Sequence, residues 1–267
     1  MAEINAGLVK ELRGLTGAGM MDCKRALQET DGDLEAARTL LREKGMAQAG
    51  KRADRATSEG VVGSIVDGGT GSIVGIGCET EPVSKSDEFQ AFAKRVLRAV
   101  HDGGVSAADA FDEERLELMG KLGENIVVAG SERYVDAGTI AAYVHPPANK
   151  IGVLVALDGG DEALARQLAM HISFAAPEWA TRGDVAAEAI EAERQVYLNS
   201  DEVLSKPEAA REKIVAGMLG KRFFAASPGG VLVDQAWIHD QSKSVGSALA
   251  AAGATLKGFK RVSVAGS

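Results

Sequence analysis

Residues 62–78 read VGSIVDGGTGSIVGIGC, and they decide the fold class. Val62, Ser64 and Val66 alternate at the period of a strand, and Asp67-Gly68-Gly69-Thr70-Gly71 is a hairpin turn signal. Residues 72–78 form a continuous apolar run, the mark of a buried strand. Beyond them Phe89, Phe92, Val96 and Val100 recur at helical spacing, in a helix beginning near Glu88. The same order returns downstream: residues 140–144, a loop holding Pro146 and Pro147, an apolar run at 151–157, and a helix beginning near Glu162. Val66 and Val144 are 78 residues apart, as are Ile73 and Ile151. Two strand-turn-strand-helix units predict an α+β protein with two related core subdomains, each carrying helices on one face of an antiparallel sheet.

Toward the N-terminus the period becomes purely helical. Leu8, Leu12 and Leu15 mark a first helix, broken by Thr16-Gly17-Ala18-Gly19. A second spans about 20–28, with Ala26 and Leu27 facing inward. Asp31-Gly32-Asp33 is a turn, and Asp33 is placed to cap a third helix carrying Leu34, Ala37, Leu40 and Leu41 and stopping at Gly45. Residues 51–58 are charged and aperiodic and read as a linker. Between the two units lie a helix near 113–122 and strands at 126–128 and 132–135.

Past Pro177-Glu178-Trp179, Val185, Ala189, Ala192, Val196, Asn199 and Val203 follow a coiled-coil spacing. The seam breaks at Ser205-Lys206-Pro207, and a second helix runs past Ala210, Ile214 and Met218 to about Phe224. An antiparallel coiled-coil hairpin is expected, its first arm of about 20 residues reaching ~30 Å; a helix pair packed on the core fits the pattern equally. Residues 231–233 and 254–264 read as strands, with a short helix at 244–251 between them. The expected division is 1–52 helical, 57–139 first core subdomain, 140–182 with 226–267 second core subdomain, and 183–225 inserted hairpin.

Lys and Arg number 30 against 38 Asp and Glu, so the net charge is −8. An acidic surface repels phosphate backbones, and no direct nucleic-acid binding is expected. The basic stretches Lys51, Arg52, Arg55 and Lys257, Lys260, Arg261 have only Phe259 as a stacking aromatic and read as solvated faces. The opening Met1-Ala2-Glu3-Ile4-Asn5 carries no basic or apolar leader pattern, and no run approaches the ~18 apolar residues of a membrane span. A cytoplasmic protein with Cys23 and Cys78 as reduced thiols is the expectation.

The scan for chemistry yields little. Gly69-Thr70-Gly71 with Gly75 has the wrong spacing for a dinucleotide loop, and Gly14, Gly17 and Gly19 lack the Lys-Ser/Thr of a phosphate loop. His101, His145, His171 and His239 show no metal-ligand spacing with the cysteines, so no metal and no cofactor are expected. Cys78-Glu79-Thr80-Glu81-Pro82-Val83 is different: it follows an apolar strand and precedes a helix, where a loop presents polar groups on a rigid base. That suits contact with another protein better than an active site.

Val9-Lys10-Glu11-Leu12-Arg13 with Thr16-Gly17-Ala18-Gly19-Met20-Met21-Asp22-Cys23-Lys24-Arg25-Ala26-Leu27 resembles the opening signature of the bacterial elongation factor Ts family. Glu79-Thr80-Glu81-Pro82-Val83, Phe89-Gln90-Ala91-Phe92-Ala93, Gly123-Glu124-Asn125-Ile126, Lys150-Ile151-Gly152-Val153-Leu154-Val155, Ala169-Met170-His171-Ile172, Pro177-Glu178 and Ser244-Val245-Gly246 resemble it in order. The resemblance implies a small ubiquitin-associated-like three-helix domain, two related core subdomains and an inserted helical hairpin. It also implies a nucleotide-exchange factor, not an enzyme, that binds the GTPase elongation factor Tu and speeds release of its GDP. Carried over by position, Arg13, Met20 and Met21 would meet the partner's nucleotide domain, and Glu81 and Pro82, flanked by Thr80 and Val83, would intrude into it. Ile126 and His171 would lie on the core's contact surface.

The family usually has Thr-Asp-Phe-Val where this chain has Thr80-Glu81-Pro82-Val83. Insertion of a bulky ring is therefore not expected to be the main lever. The chain stops soon after Arg261-Val262-Ser263-Val264, so contacts made by a C-terminal module of some relatives are not expected. A scaffold or stabilising chaperone of the same GTPase is the competing reading, separated from exchange by catalysed nucleotide release. An α+β enzyme comes third, and turnover by the protein alone would mark it. Homodimerisation through the hairpin is left open.

Overall fold

A computed structural model describes residues 4–50 and 52–265; Met1 to Glu3 of the expected leader-free start and Lys51 of the linker lie outside the described residues. Asn5 opens α1 (Ala6–Thr16), its side chain accepting the Leu8 N–H at 2.9 Å, and Gly17 closes it in the left-handed region at φ 69°. α2 (Met20–Glu29) follows, and Asp33 caps α3 (Leu34–Gly50) by accepting the Ala36 N–H at 2.9 Å. Leu12, Cys23, Ala26, Leu27 and Ala37 form the core of this bundle. Leu15 is an exception to the expected stripe, at 51% exposed. α3 also runs through Gly45 instead of stopping there. Gly45 is a packing site: a Cβ on Gly120 would sit 3.1 Å from its Cα, so the two glycines let two helices touch backbone to backbone.

β1 (Glu59–Asp67) and β2 (Thr70–Cys78) pair antiparallel through Gly68 and Gly69, whose φ of 55° and 84° supply the twist a two-residue hairpin needs. α4 (Glu81–Ser84) is a single turn, and α5 (Asp87–Gly103), a 3-10 segment (Val105–Phe111) and α6 (Asp112–Leu122) follow. β3 (Val127–Val135) then pairs with the other edge of β2. The two short strands expected at 126–128 and 132–135 are one strand, because Gly75 faces Gly130 while Ile76 faces Val128, and a bulge absorbs Ala129. Phe89, Phe92, Val96 and Val100 of α5 are fully buried against Val74, Ile76 and Cys78 of β2, with Met119 and Ile126 closing the cluster.

The second unit repeats the plan with β4 (Thr139–Val144), β5 (Ile151–Asp158) and α7 (Glu162–Ala175). α8 (Ala187–Leu198), α9 (Asp201–Leu204) and α10 (Glu208–Met218) come next, then a π-helical turn at Leu219–Phe224. The ~30 Å coiled-coil arm is not formed. α8 has 12 residues, about 18 Å at helical rise, and the chain leaves the helix at Ser200, whose φ of −74° and ψ of 144° are extended. Val196, read as a seam residue, is 62% exposed, while Val185 and Val203 on either side are buried with Val215, Met218, Leu219 and Phe224. The insertion is a compact helical unit with its own core, its arms tied by Arg194–Glu212 at 2.6 Å and Arg222–Glu202 at 2.8 Å.

Residues 231–233, expected as a strand, include the start of a 3-10 turn at Leu232–Asp234. Their N–H groups go to the two ends of the insertion, Val231 to the Phe224 carbonyl and Leu232 to that of Trp179, so they seal the insertion and join neither sheet. A small ribbon of β6 (Ala236–Trp237) and β7 (Asp240–Ser244), then α11 (Val245–Ala251), leads into β8 (Thr255–Ser263), which returns to pair with β5.

Two three-stranded sheets result, ordered β1-β2-β3 and β4-β5-β8. Each has a helix on its outer face, and Val62, Ile73, Ile140, Leu154, Ala156 and Val262 form a shared apolar layer between them. Glycine lets the sheets approach: a Cβ on Gly152 would lie 2.6 Å from Val62 Cγ1 and 3.0 Å from Ile73 Cδ1. Among the described residues no helix is long and apolar enough to cross a membrane.

Candidate protein-contact site

Central strand β2 ends at Cys78 and delivers residues 79–82 to the surface. Thr80 is extended, and Glu81 and Pro82 begin α4. Proline is tolerated there because the first N–H groups of a helix have no intrahelical acceptor. Glu81 and Pro82 are exposed, whereas Val83 packs on the core beside α5. Lys85 Nζ lies 2.5 Å from Glu81 Oε1, and its hydrogen bond and charge hold the Glu81 carboxyl below the usual range.

The backbone beneath this turn is braced by residues to which the sequence assigned no role. The Glu124 carboxylate accepts the N–H groups of Glu79 and Thr80 at 3.1 and 3.0 Å, and the Thr80 hydroxyl at 2.5 Å. Reciprocally, Glu79 Oε1 accepts the Asn125 N–H at 2.7 Å. Burial, then the nearby Glu124 charge, pushes the Cys78 thiol up to about 12; it stays a neutral S–H against the Thr80 carbonyl. The signal for Glu124 and Asn125 was their place in the quoted Gly123-Glu124-Asn125-Ile126 segment.

Arg13, Met20 and Met21 lie on the surface of the helical bundle, the methionines 59% and 67% exposed. Leu15, which the sequence reading put inside, is exposed on the same bundle and borders a cleft of about 640 Å³ between the bundle and α5–α6. Arg42 crosses from α3 to Glu113 and Glu117 of α6.

Ile126 and His171, expected on a contact surface, are fully buried. Ile126 belongs to the cluster under Val83, so it supports the turn from below. His171 Nδ1 accepts the Ile238 N–H at 3.3 Å, which leaves the ring proton on Nε2, 2.9 Å from Gln235 Oε1. Its ring stacks on Trp237 at 5.4 Å. Burial lowers the pKa of His171, outweighing the Gln235 bond. The exposed aromatic of this helix is Phe174, which the sequence reading did not single out.

Fold and site define an α+β protein with two linked sheets and a braced, exposed acidic turn at the end of a central strand. A family model described as Elongation factor TS matches residues 79–266. The chain is 41% identical over 268 residues to an Elongation factor Ts of Citrobacter koseri, covering 99% of this chain and 92% of that protein. It is 42% identical over 274 residues to one of Alkalilimnicola ehrlichii (98% and 92%) and 40% over 274 residues to one of Hydrogenovibrio crunogenus (98% and 91%). The chain belongs to the elongation factor Ts family, and its place is in translation elongation.

Proposed function

We propose that this protein binds the GTPase elongation factor Tu and promotes release of its GDP by disturbing the Mg²⁺ and phosphate site, so that GTP can reload. The observation that carries the reading is the turn at Glu81–Ser84, exposed at its acidic tip and fixed at its base by the Glu124 carboxylate. Such a projection transmits force to a partner because it does not yield on contact. Mg²⁺ and the phosphate loop hold the diphosphate, so displacing them is the direct route to release.

The thermodynamics require no bond chemistry from the factor. If its binding weakens nucleotide affinity, nucleotide weakens the factor by the same ratio. It acts by favouring a nucleotide-poor conformation of the partner through differential contacts. In this reading Arg13, Met20 and Met21 of segment 1–52 grip the nucleotide domain, and Thr80, Glu81, Pro82 and Val83 of segment 57–139 supply the lever. Ile126 and His171 act from beneath the surface, the second within segment 140–182 and 226–267. The insertion at 183–225 stands apart from the lever. The protein works in the cytoplasm without a cofactor, without direct nucleic-acid contact and without an active site of its own.

The test loads the partner with fluorescent GDP, adds excess unlabelled GDP, and follows release with this protein at catalytic amounts. Multi-turnover acceleration is expected. Tight binding without acceleration would refute exchange and favour a holding role.

A further inference from the structure

Glu124 and Asn125 are adjacent in sequence but brace different segments. The Glu124 carboxylate takes three donors from the turn: the N–H groups of Glu79 and Thr80 and the Thr80 hydroxyl. The Asn125 side chain reaches the opposite way. Its Nδ2 donates to the carbonyls of Ala53 at 3.1 Å and Arg55 at 2.7 Å, in the segment joining α3 of the bundle to β1. Two carbonyl acceptors fix the amide's orientation, since the flipped rotamer would set oxygen against oxygen. The Asn125 N–H meanwhile holds Glu79 Oε1, and Arg55 Nη1 stands 3.5 Å from that same oxygen.

Asn125 is 1% exposed, and its Oδ1 is buried with no hydrogen-bond partner among the described residues. An unpaired buried acceptor is costly. The two carbonyls that Nδ2 holds offset it, an arrangement an apolar side chain of the same shape could not make. The tether and the turn thus converge on one dipeptide, through groups that belong to neither.

We infer that Glu124 and Asn125 are positioning residues of the exchange site, Glu124 fixing the intruding turn and Asn125 locking the tether of the helical bundle to it, so that bundle and turn meet the partner in one geometry. This rests on the exchange reading above. The two residues should divide the kinetics. An interaction that matters only as nucleotide leaves appears in kcat, whereas one that presents a grip already made in the ground state appears in KM.

The experiment measures catalysed GDP release against partner concentration for the full chain and for Glu124→Ala, Glu124→Gln and Asn125→Ala. It is paired with hydrogen exchange at the Glu79 and Thr80 amides. Glu124→Ala is expected to lower kcat about ten- to a hundredfold, the scale of a displacement of ~1 Å, with KM changed less than about threefold. Glu124→Gln keeps a carbonyl acceptor for the two N–H groups and recovers most of kcat, which also covers the case in which the alanine variant fails to fold. Asn125→Ala retains its own N–H on Glu79, so it is expected to leave amide protection and kcat in place and raise KM about three- to tenfold. Unchanged kcat in Glu124→Ala, or the same loss of kcat in Glu124→Ala and Asn125→Ala, would overturn the assignment. If the wild-type chain does not accelerate release at all, the exchange reading falls first. Faster Thr80 amide exchange in Glu124→Ala than in wild type would then still support the bracing, and equal rates would end it.

Discussion

Gly152→Ala tests whether the absence of a side chain is what lets the two sheets pack so closely. Gly152 lies in central strand β5, facing the other sheet, and a Cβ there would stand 2.6 Å from Val62 Cγ1 and 3.0 Å from Ile73 Cδ1. Both neighbours are buried, at 2% and 0%, and a β-branched valine has little rotamer freedom with which to retreat. Overpacking of this kind costs about 1 to 3 kcal/mol, offset by roughly 0.5 to 1 kcal/mol from removing a strand glycine. The net is a loss centred on ~1 kcal/mol and reaching about 2.5 kcal/mol, a fall in Tm of about 2 to 10 °C at ~2 to 4 °C per kcal/mol for a chain of this size. Val62→Ala alone removes two buried methyls and should cost about 2 kcal/mol. The double variant is the discriminating case, because the new methyl at 152 enters the space vacated at 62. Its stability should match Val62→Ala alone, a coupling of about 1 kcal/mol or more. Denaturant and thermal unfolding of the four proteins give the cycle. A Gly152→Ala protein as stable as wild type, or strictly additive losses in the double variant, would refute the close-approach argument.

Three further outcomes follow from particular contacts. His171 titrates lower in the folded chain than its ordinary 6.5 because protonation would charge a buried ring and set Nδ1 against the Ile238 N–H. The unfolded chain therefore takes up the proton first, so stability is intact above about pH 6.5 and declines as pH falls toward the folded value; His171→Gln should flatten that part of the Tm-pH profile. Gly120→Ala places a methyl 3.1 Å from the Gly45 Cα and 3.2 Å from its carbonyl carbon, backbone that cannot rotate aside, and should lower Tm by about 2 to 6 °C while speeding amide exchange in α3. Met20→Ser with Met21→Ser removes two exposed thioethers, so it should leave Tm unchanged and weaken binding to elongation factor Tu about tenfold, a loss of ~1.4 kcal/mol; unchanged affinity would remove them from the contact.

What the sequence reveals follows from the range of the interactions involved. The paired units at Val62 and Ile140 were legible because hydrophobic period and turn chemistry are local, and the glycines at 68 and 69 adopt the left-handed backbone that the turn demands. Gly45 reads as a terminator in the sequence because a stopping glycine and a packing glycine look alike until the opposing Gly120 is known. The seam through Val196 failed for a related reason: a 4-3 spacing counts residues as though the helix were continuous, and the break at Ser200 resets the phase, burying Val203 and leaving Val196 outside. In the site, the tip was legible as a polar segment after an apolar strand. Its brace was not, since Glu124 lies 44 residues from Thr80 and nothing local distinguishes it from any other surface carboxylate. Ile126 and His171 are carried to the contact surface by the family resemblance alone, and a resemblance transfers a position without saying what covers it in this chain, where both are buried.

The substitution at the tip makes physical sense in this frame. A bulky ring at this position would act by volume, and a pocket that takes up such a ring would order it on binding. Without that volume, a tip must arrive already shaped, or the entropy of ordering it is taken from the binding energy. Thr80-Glu81-Pro82 achieves this with local means. Proline fixes φ within the first turn of α4, where its missing N–H leaves no acceptor unmatched. Thr80 is the N-cap by position, yet its hydroxyl donates to Glu124 instead of accepting from the turn, so the helix start is anchored across the sheet. Val83 on the same turn packs into the core above Ile126 and prevents the turn from lifting. Charge then replaces bulk at the tip. On the proposed exchange reading, the Glu81 carboxylate, its pKa lowered by Lys85, would be presented at a fixed place to repel phosphate oxygens and compete with them for Mg²⁺. On that reading rigidity and charge are coupled: Glu81 on a loose loop would lose most of its leverage, and the braced turn without Glu81 would have nothing to apply.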